Sequence, residues 1–258
     1  MIDSHCHIDF DAFDGRREEV IEQAQQAGIH TLINIGVDIQ SSERSIHLAE
    51  QYDNIYATVG VHPHDAKKVD RHSINYLREL ADHPKVMAIG EIGLDFYRDY
   101  SPRPDQKKAF QKQLELAAEA ELPVVIHTRE SFKETVEIVR DFYSDIPGGV
   151  FHCFPGSVED AFEVIELGFV IGIGGGATHN NSSMATAAGG VPIDRIILET
   201  DSPYQKPAKY KERYNCPATI KVVCEKVAQL RGTDMAEVEK ITDRTCQKLF
   251  HLVDTFGD

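Results

Sequence analysis

The sequence predicts an α/β protein built as a (β/α)8 TIM barrel, and three observations predict it. Eight short β-branched or apolar runs recur along the chain, their C-terminal ends near residues 7, 36, 61, 91, 127, 152, 173 and 200. The steps between those ends are 29, 25, 30, 36, 25, 21 and 27 residues, and a βαβ unit needs roughly 30. The stretches between the runs carry helical periodicity, and no linker, low-complexity tract or shift of composition divides the chain, so residues 1–258 read as one domain. Eight strands alternating with eight helices close into a barrel; a doubly wound open sheet is the competing architecture.

The elements follow in order. The first strand is expected over Ile2–Ile8. A helix over Glu18–Ala27 stops at Gly28, a residue that tolerates the left-handed turn ending a helix. Strands two and three are expected over Thr31–Val37 and Ile55–Val61, the latter cut off by Pro63, which cannot donate to a ladder and forces a loop. Strand four spans Val86–Ile92. Behind Pro102 and Pro104, Phe110, Leu114 and Ala117 recur at spacings of four and three, which predicts a helix over Arg103–Ala120. Strands five to eight are expected over Pro123–Thr128, Gly149–Cys153, Phe169–Ile173 and Arg195–Thr200, with a short, frayed helix in Asn180–Gly190, rich in Gly, Ala and Ser.

The charge sum narrows the function. Twenty-seven Lys and Arg against 42 Asp and Glu leave −15, which repels polyanions over most of the surface. Non-specific coating of nucleic acid is excluded, and any such chemistry must be confined to one site assisted by cations. No apolar run approaches the length needed to cross a bilayer; Leu122–Ile126 is far too short. The opening Met1-Ile2-Asp3-Ser4-His5 has no basic leader or apolar core of a signal peptide. Five cysteines (Cys6, Cys153, Cys216, Cys224, Cys246) without CxxC spacing read as reduced thiols, and the expected location is cytoplasmic.

Active sites of such barrels lie at the C-terminal strand ends, and the unusual polar residues fall there. His5 and His7 lie on strand one, His62 and His64 just after strand three, Glu91 on strand four, His127 at the end of strand five, His152 on strand six and Asp201 after strand eight. Residues i and i+2 of a strand share a face, so His5 and His7 both point into the mouth while Cys6 points outward. Mixed imidazole and carboxylate donors suit Zn²⁺, Mn²⁺, Fe²⁺ or Ni²⁺, and more oxygen-rich sites suit Mg²⁺. Six donors exceed what one catalytic ion can use while keeping an open position. Two divalent ions bridged by Glu91 resolve the count, one taking His5, His7 and Asp201, the other His127 and His152, with a water activated between them. Asp3, on the same face as His5, either orients a ligand imidazole or is a buried, paired carboxylate.

These motifs resemble the TatD-type metal-dependent deoxyribonucleases, a branch of the amidohydrolase-like barrels. The matching stretches are DSHCHID at Asp3–Asp9, GVHPH at Gly60–His64, GEIGLDFYRD at Gly90–Asp99, VIHTRES at Val125–Ser131, FHCFPGS at Phe151–Ser157 and ETDSPY at Glu199–Tyr204. The resemblance implies His5, His7, Glu91, His127, His152 and Asp201 as metal ligands, with Asp201 positioning or deprotonating the attacking water. It further implies a 3′–5′ exodeoxyribonuclease acting on DNA ends, single-stranded ones first. Mg²⁺ or Mn²⁺ is the expected ion for activity and Zn²⁺ or Ni²⁺ the expected ion as bound; neither a membrane nor an obligate protein partner is implied. Two positions depart from the family pattern: Cys216, where an acidic residue is usual, and Thr245, where an Asn often precedes the Leu-Phe pair.

Phosphate contacts are sought near the ligands. Arg129, two residues past His127 and expected on a loop, suits a bidentate phosphate contact, with Lys206, Arg98 and Tyr97 behind it. His62 and His64 would touch phosphate or hold an additional ion. Gly174-Gly175-Gly176 either presents backbone N–H groups to phosphate or turns the chain tightly. Among rim aromatics, Tyr97 and Tyr204 are the candidates for stacking a base. Two other readings compete: an amidohydrolase or lactonase attacking carbon in a small ester or amide, and a catalytically silent scaffold. Relatives of the first kind often bridge their ions with a modified lysine on strand four; here that strand carries Glu91, and Lys85 precedes it. An intact donor set argues against the second, since unpaired buried ionisable groups are costly.

Overall fold

The computed structural model describes residues 1–252; the last six positions of the expected 1–258 domain lie outside the described residues. Eight parallel strands form one sheet in sequential order: β1 (Ile2–Cys6), β2 (Thr31–Ile35), β3 (Ile55–Val59), β4 (Val86–Asp95), β5 (Val124–Arg129), β6 (Gly149–Phe151), β7 (Val170–Ile173) and β8 (Ile196–Leu198). The sheet returns on itself where the β1 and β8 ends meet: His7 N–H donates to Ser202 O and Asp201 N–H to His5 O, each at 2.8 Å. The barrel, rather than the open sheet, is the architecture.

Helices alternate with the strands: α1 (Arg17–Gln26), α2 (Ile39–Gln51), α3 (Arg71–Ala81), α4 (Arg103–Ala120), α5 (Phe132–Arg140), α6 (Val158–Glu166), α7 (Ser183–Gly190), α8 (Ile220–Arg231) and α9 (Met235–Phe250). The α4 bounds coincide with the periodicity, and α1 stops before Gly28 at φ +81°. Capping boxes start α2, α3 and α6, through Asp38 with Ser41, Asp70 with Ser73 and Ser157 with Asp160. One helix per strand undercounts: nine are present among the described residues, because α8 and α9 both follow β8.

Two apolar layers hold the barrel. Between strands and helices lie Phe110, Leu114, Phe151, Phe169 and their neighbours, with Cys6 among them as its alternation requires. A second cluster joins Ile33, Ile35, Ala88, Val125, Val150, Val170 and Ile197 to Cys246 and Phe250 of α9. Strand alternation places Val125 on the face of His127 and Val150 on that of His152, so this cluster is the floor beneath the mouth, and α9 seals it. The extra helix therefore has a packing function that counting strands does not reveal.

Several boundaries moved. β4 runs on to Asp95, beyond the expected Ile92, because Gly93 at φ +138° and a register shift against β5 let the ladder continue. A Cβ at Gly93 would sit 2.0 Å from His127 O, so only glycine permits this close strand approach. β6 ends at Phe151, since Cys153 turns the chain at φ +47°; His152 thus lies just past the strand. His7 likewise follows β1, and Arg129 is the last residue of β5, not a loop residue. Pro63 opens a 3₁₀ helix, Pro63–Lys68, with His62 as its N-cap.

Candidate metal centre

Two glutamines of α4, neither anticipated, hold the loops that shape the mouth. Gln106 exchanges hydrogen bonds with the Asp95 backbone and donates to Ser101 O, while Gln113 does the same for Val61. The chain after β3 and the end of β4 are therefore fixed from behind by a buried helix face.

In front of that support, Glu91 lies at the centre of two groups of donor atoms. Its Oε2 lies 3.6 Å from His5 Nε2 and 3.9 Å from His7 Nε2. Asp201 Oδ1 lies 3.6 and 3.4 Å from the same two nitrogens, which are 3.2 Å apart. The other oxygen, Oε1, lies 2.8 Å from His127 Nδ1, 3.0 Å from His152 Nε2 and 3.5 Å from His62 Nε2. The six sequence-selected donors are thus brought together, and His62 joins them.

The donor set fits divalent cations. Bonds of roughly 2.0–2.2 Å to one ion put neighbouring donors about 3 Å apart in an octahedron and about 3.4 Å in a tetrahedron, and the first group spans 3.2 to 3.9 Å. His5 Nδ1, His152 Nδ1 and Glu199 Oε2 are buried without a hydrogen-bond partner among the described residues. Burial pushes His5 and His62 down, whereas Asp201 beside His7, Asp95 and Glu91 beside His127, and Glu91 beside His152 outweigh burial and raise those three. Burial would raise Glu91, but the nearby His152 and His62 charges and hydrogen bonds from His127 and His152 hold it well below the usual carboxylate range. Asp201 is lowered too: burial opposes this and His7 outweighs it. Anionic carboxylates suit a hard-to-borderline cation, and binding one would displace the protons of the raised imidazoles.

Asp3 resolves to the paired reading. Its carboxyl is hydrogen-bonded to the Thr200 N–H at 2.9 Å and hydroxyl at 2.6 Å, and accepts from His5 N–H at 3.3 Å. It ties β1 to the chain after β8 and touches no imidazole.

A cleft of about 650 Å³ opens above the donors, lined among others by Phe10, His62, His64, Asp95, Arg98, Tyr100, Arg129, Cys153 and Tyr204. His64 Nε2 lies 2.9 Å from Asp95 Oδ2, which also reaches His127 Nε2 at 3.3 Å. Lys206 is not brought to the cleft: its ammonium donates to Glu212 O at 3.0 Å on the exposed side. Tyr97 is exposed but does not line the cleft; the Arg129 guanidinium lies over its ring at 4.0 Å. Gly175 serves close packing, since a Cβ there would meet Gln205 O at 1.9 Å. The departures lie elsewhere: Cys216 packs with Phe13 and Val20, and the Thr245 hydroxyl donates to Ile241 O and Asp194 O.

Sequence reasoning missed two carboxylates. Asp95 is buried and held below its ordinary value: burial opposes, while His127 and His64 hydrogen bonds outweigh it. Four residues beyond Glu91 in an apolar run, it shares Glu91's face by strand alternation, a signal that was readable. Glu199, two residues before Asp201, accepts the Cys153 N–H at 2.5 Å and lies 3.6 Å from His152 Nδ1.

Comparison with known proteins follows the same lines. A family model described as TatD related DNase matches residues 2–251. The uncharacterized metal-dependent hydrolase YabD of Bacillus subtilis (strain 168) is 35% identical over 253 residues, covering 98% of this chain and 99% of the relative. The 3′-5′ ssDNA/RNA exonuclease TatD of Cronobacter sakazakii is 37% identical over 256 residues, 97% of each chain. The crystal structure of YjjV, a TatD homologue from Escherichia coli K12, superposes with a TM-score of 0.92 at 30% identity over 98% of each chain.

Proposed function

The chain belongs to the TatD-related DNase family, and from that premise we propose that it is a metal-dependent hydrolase removing nucleotides from the 3′ end of single-stranded nucleic acid. The observation that carries the reading is Glu91, whose two oxygens face two separate donor groups. His5, His7 and Asp201 would hold one divalent ion, His127 and His152 the other, with Glu91 bridging and His62 beside the second. Mg²⁺ or Mn²⁺ is the working ion in this reading, and Zn²⁺ or Ni²⁺ a tenant of the same donors. Such ions, when bound, supply Lewis acidity that acidifies water and neutralises charge building on the phosphate.

The chain's own groups do the rest. Asp201, presented in the left-handed region at φ +51°, accepts at its carboxylate the proton of the attacking water. The water oxygen bonds to phosphorus, the P–O3′ bond breaks, and the proton passes to the departing 3′ oxygen of the shortened strand. A nucleoside 5′-monophosphate leaves. His64, held by Asp95, and Arg129 line the approach to the scissile phosphate.

DNA alone was the expectation from the motifs; the relatives' names carry RNA as well, so the proposal covers both. The amidohydrolase reading loses its chemical support in Lys85, whose ammonium donates to the carbonyls of Tyr52, Asp53 and Ile55 and reaches no donor of the centre. No helix among the described residues is long and apolar enough to cross a membrane. Five cysteines free of disulfides support a reducing, cytoplasmic setting.

The test is digestion of 3′-labelled single-stranded DNA and RNA with Mg²⁺ or Mn²⁺, which EDTA should stop and metal add-back restore. Undigested strands beside rapid turnover of lactones or aryl esters would overturn the proposal.

A further inference from the structure

Tyr97 was expected to stack a base, yet its ring is already engaged. The Arg129 guanidinium lies 4.0 Å from the ring centroid and that of Arg98 5.2 Å. The Tyr97 and Arg98 N–H groups both donate to Asp95 Oδ1, at 3.0 and 2.8 Å. Tyr97 is therefore pinned through its backbone to the buried Asp95, and its ring is a shelf for two cations. Among the described residues lining the cleft, Arg98 and Arg129 are the only Lys or Arg, and neither guanidinium is paired with an acid. In a protein of net charge −15, two unpaired guanidiniums on one wall of a cleft holding Glu91, Asp95 and Asp201 are a directed feature of the site.

The facing wall is of the opposite kind. Phe10, after β1, stacks on the His7 ring at 4.5 Å. Tyr204, after β8, is 56% exposed and stands edge-on to Phe10 at 6.2 Å. In the closed order β1 to β8, the strands β8 and β1 are neighbours, and β4 and β5, which carry Arg98 and Arg129 at their ends, lie diametrically across.

Resting on the hydrolase reading above, we propose that the cleft is polarised across the barrel mouth. The Arg98–Arg129 wall takes the internucleotide phosphate next to the one being cut, and the Tyr204–Phe10 wall stacks a base of the same strand. Tyr97 is a positioning residue for the two guanidiniums. The arrangement selects single strands, because a stacked and paired base cannot offer its face to Tyr204, and it reads no sequence, because every base has a π-face. It also selects strands over isolated nucleotides, which lack the second phosphate.

A double dissociation tests this. The substrates are an oligodeoxynucleotide and its counterpart with abasic sites over the last three positions, and the readouts are KM and its dependence on salt. Tyr204→Ala should raise KM about tenfold on the normal strand and much less on the abasic one. Arg129→Ala should raise KM on both and flatten the logarithmic salt slope by about 0.7. Tyr97→Leu should copy Arg129→Ala, and Tyr97→Phe, which keeps the ring, should restore the wild-type KM. Equal Tyr204→Ala effects on both strands, an unchanged salt slope in Arg129→Ala, or a Tyr97→Leu effect lost on the abasic strand would each overturn the polarity while leaving the hydrolase reading intact. A wild-type protein that cuts neither strand would sink both.

Discussion

Replacing Glu91 by Gln removes one charge with almost no change of volume, and the structure fixes what that costs. The carboxylate serves two donor groups at once: His127 and His152 at 2.8 and 3.0 Å from one oxygen, His5 and His7 at 3.6 and 3.9 Å from the other. An amide has one oxygen and one NH2, so in either orientation one group faces a hydrogen-bond donor where it had an anion. Removing one partner from a buried charged set costs about 3–5 kcal/mol of stability. The rate falls separately, by what losing one preorganised electrostatic group costs, about 2.7–4 kcal/mol or 10²- to 10³-fold. The assay is kcat/KM on 3′-labelled single-stranded DNA with Mn²⁺, alongside bound metal per chain by mass spectrometry. We expect activity lower by that factor and the bound metal to fall from two ions towards one, with the melting transition still cooperative. Activity within tenfold of wild type, or two ions still bound, would refute the bridging role.

Asp95→Asn strips His64 and His127 of a shared anion and should weaken Mn²⁺ binding 10- to 100-fold by calorimetry; unchanged affinity would show that Asp95 is structural only. Burial lifts the Asp3 carboxyl from 3.8 to about 8, against hydrogen bonds from Thr200 and His5. The folded chain then keeps a proton that the unfolded chain loses, a stabilising contribution whole below pH ~4 that fades as pH rises through about 8 at ~1.4 kcal/mol per unit. Asp3→Asn has no such proton to lose, so the stability of the metal-free variant relative to wild type should climb between about pH 5 and 8; a flat difference in urea unfolding would count against the assignment. Phe110, fully buried between α4 and the sheet, should cost about 3–5 kcal/mol of unfolding free energy on truncation to Ala, and a loss below 1 kcal/mol would mean the layer repacks.

The barrel was legible because parallel strands buried on both faces are apolar runs, and Val124–Ile126 or Ile196–Leu198 cannot be mistaken for solvent-facing segments. The donor set was legible for a related reason: a histidine or carboxylate at the end of such a run is out of place unless something pairs it. What escaped notice depends on long-range partners. Gln106 and Gln113 look like ordinary polar residues of an amphipathic helix, and only the fold shows them buried and bonded to β4 and to the chain after β3. Asp95 lies beyond the expected Val86–Ile92 strand because Gly93, which has no side chain to mark a strand, is the residue that lets the ladder pass His127. Tyr97 and Lys206 do not line the cleft, because nearness to a motif in sequence says nothing about which way a rim side chain leans.

The seam between the first and last strands has a temporal consequence. Two of the imidazoles come from the opening seven residues, while the aspartate facing them arrives two hundred positions later and is held there by backbone bonds between the two ends. A nascent polypeptide, or a fragment broken off before that point, owns the histidines without their counterpart. The full donor set is therefore assembled late in synthesis, once the circle is joined.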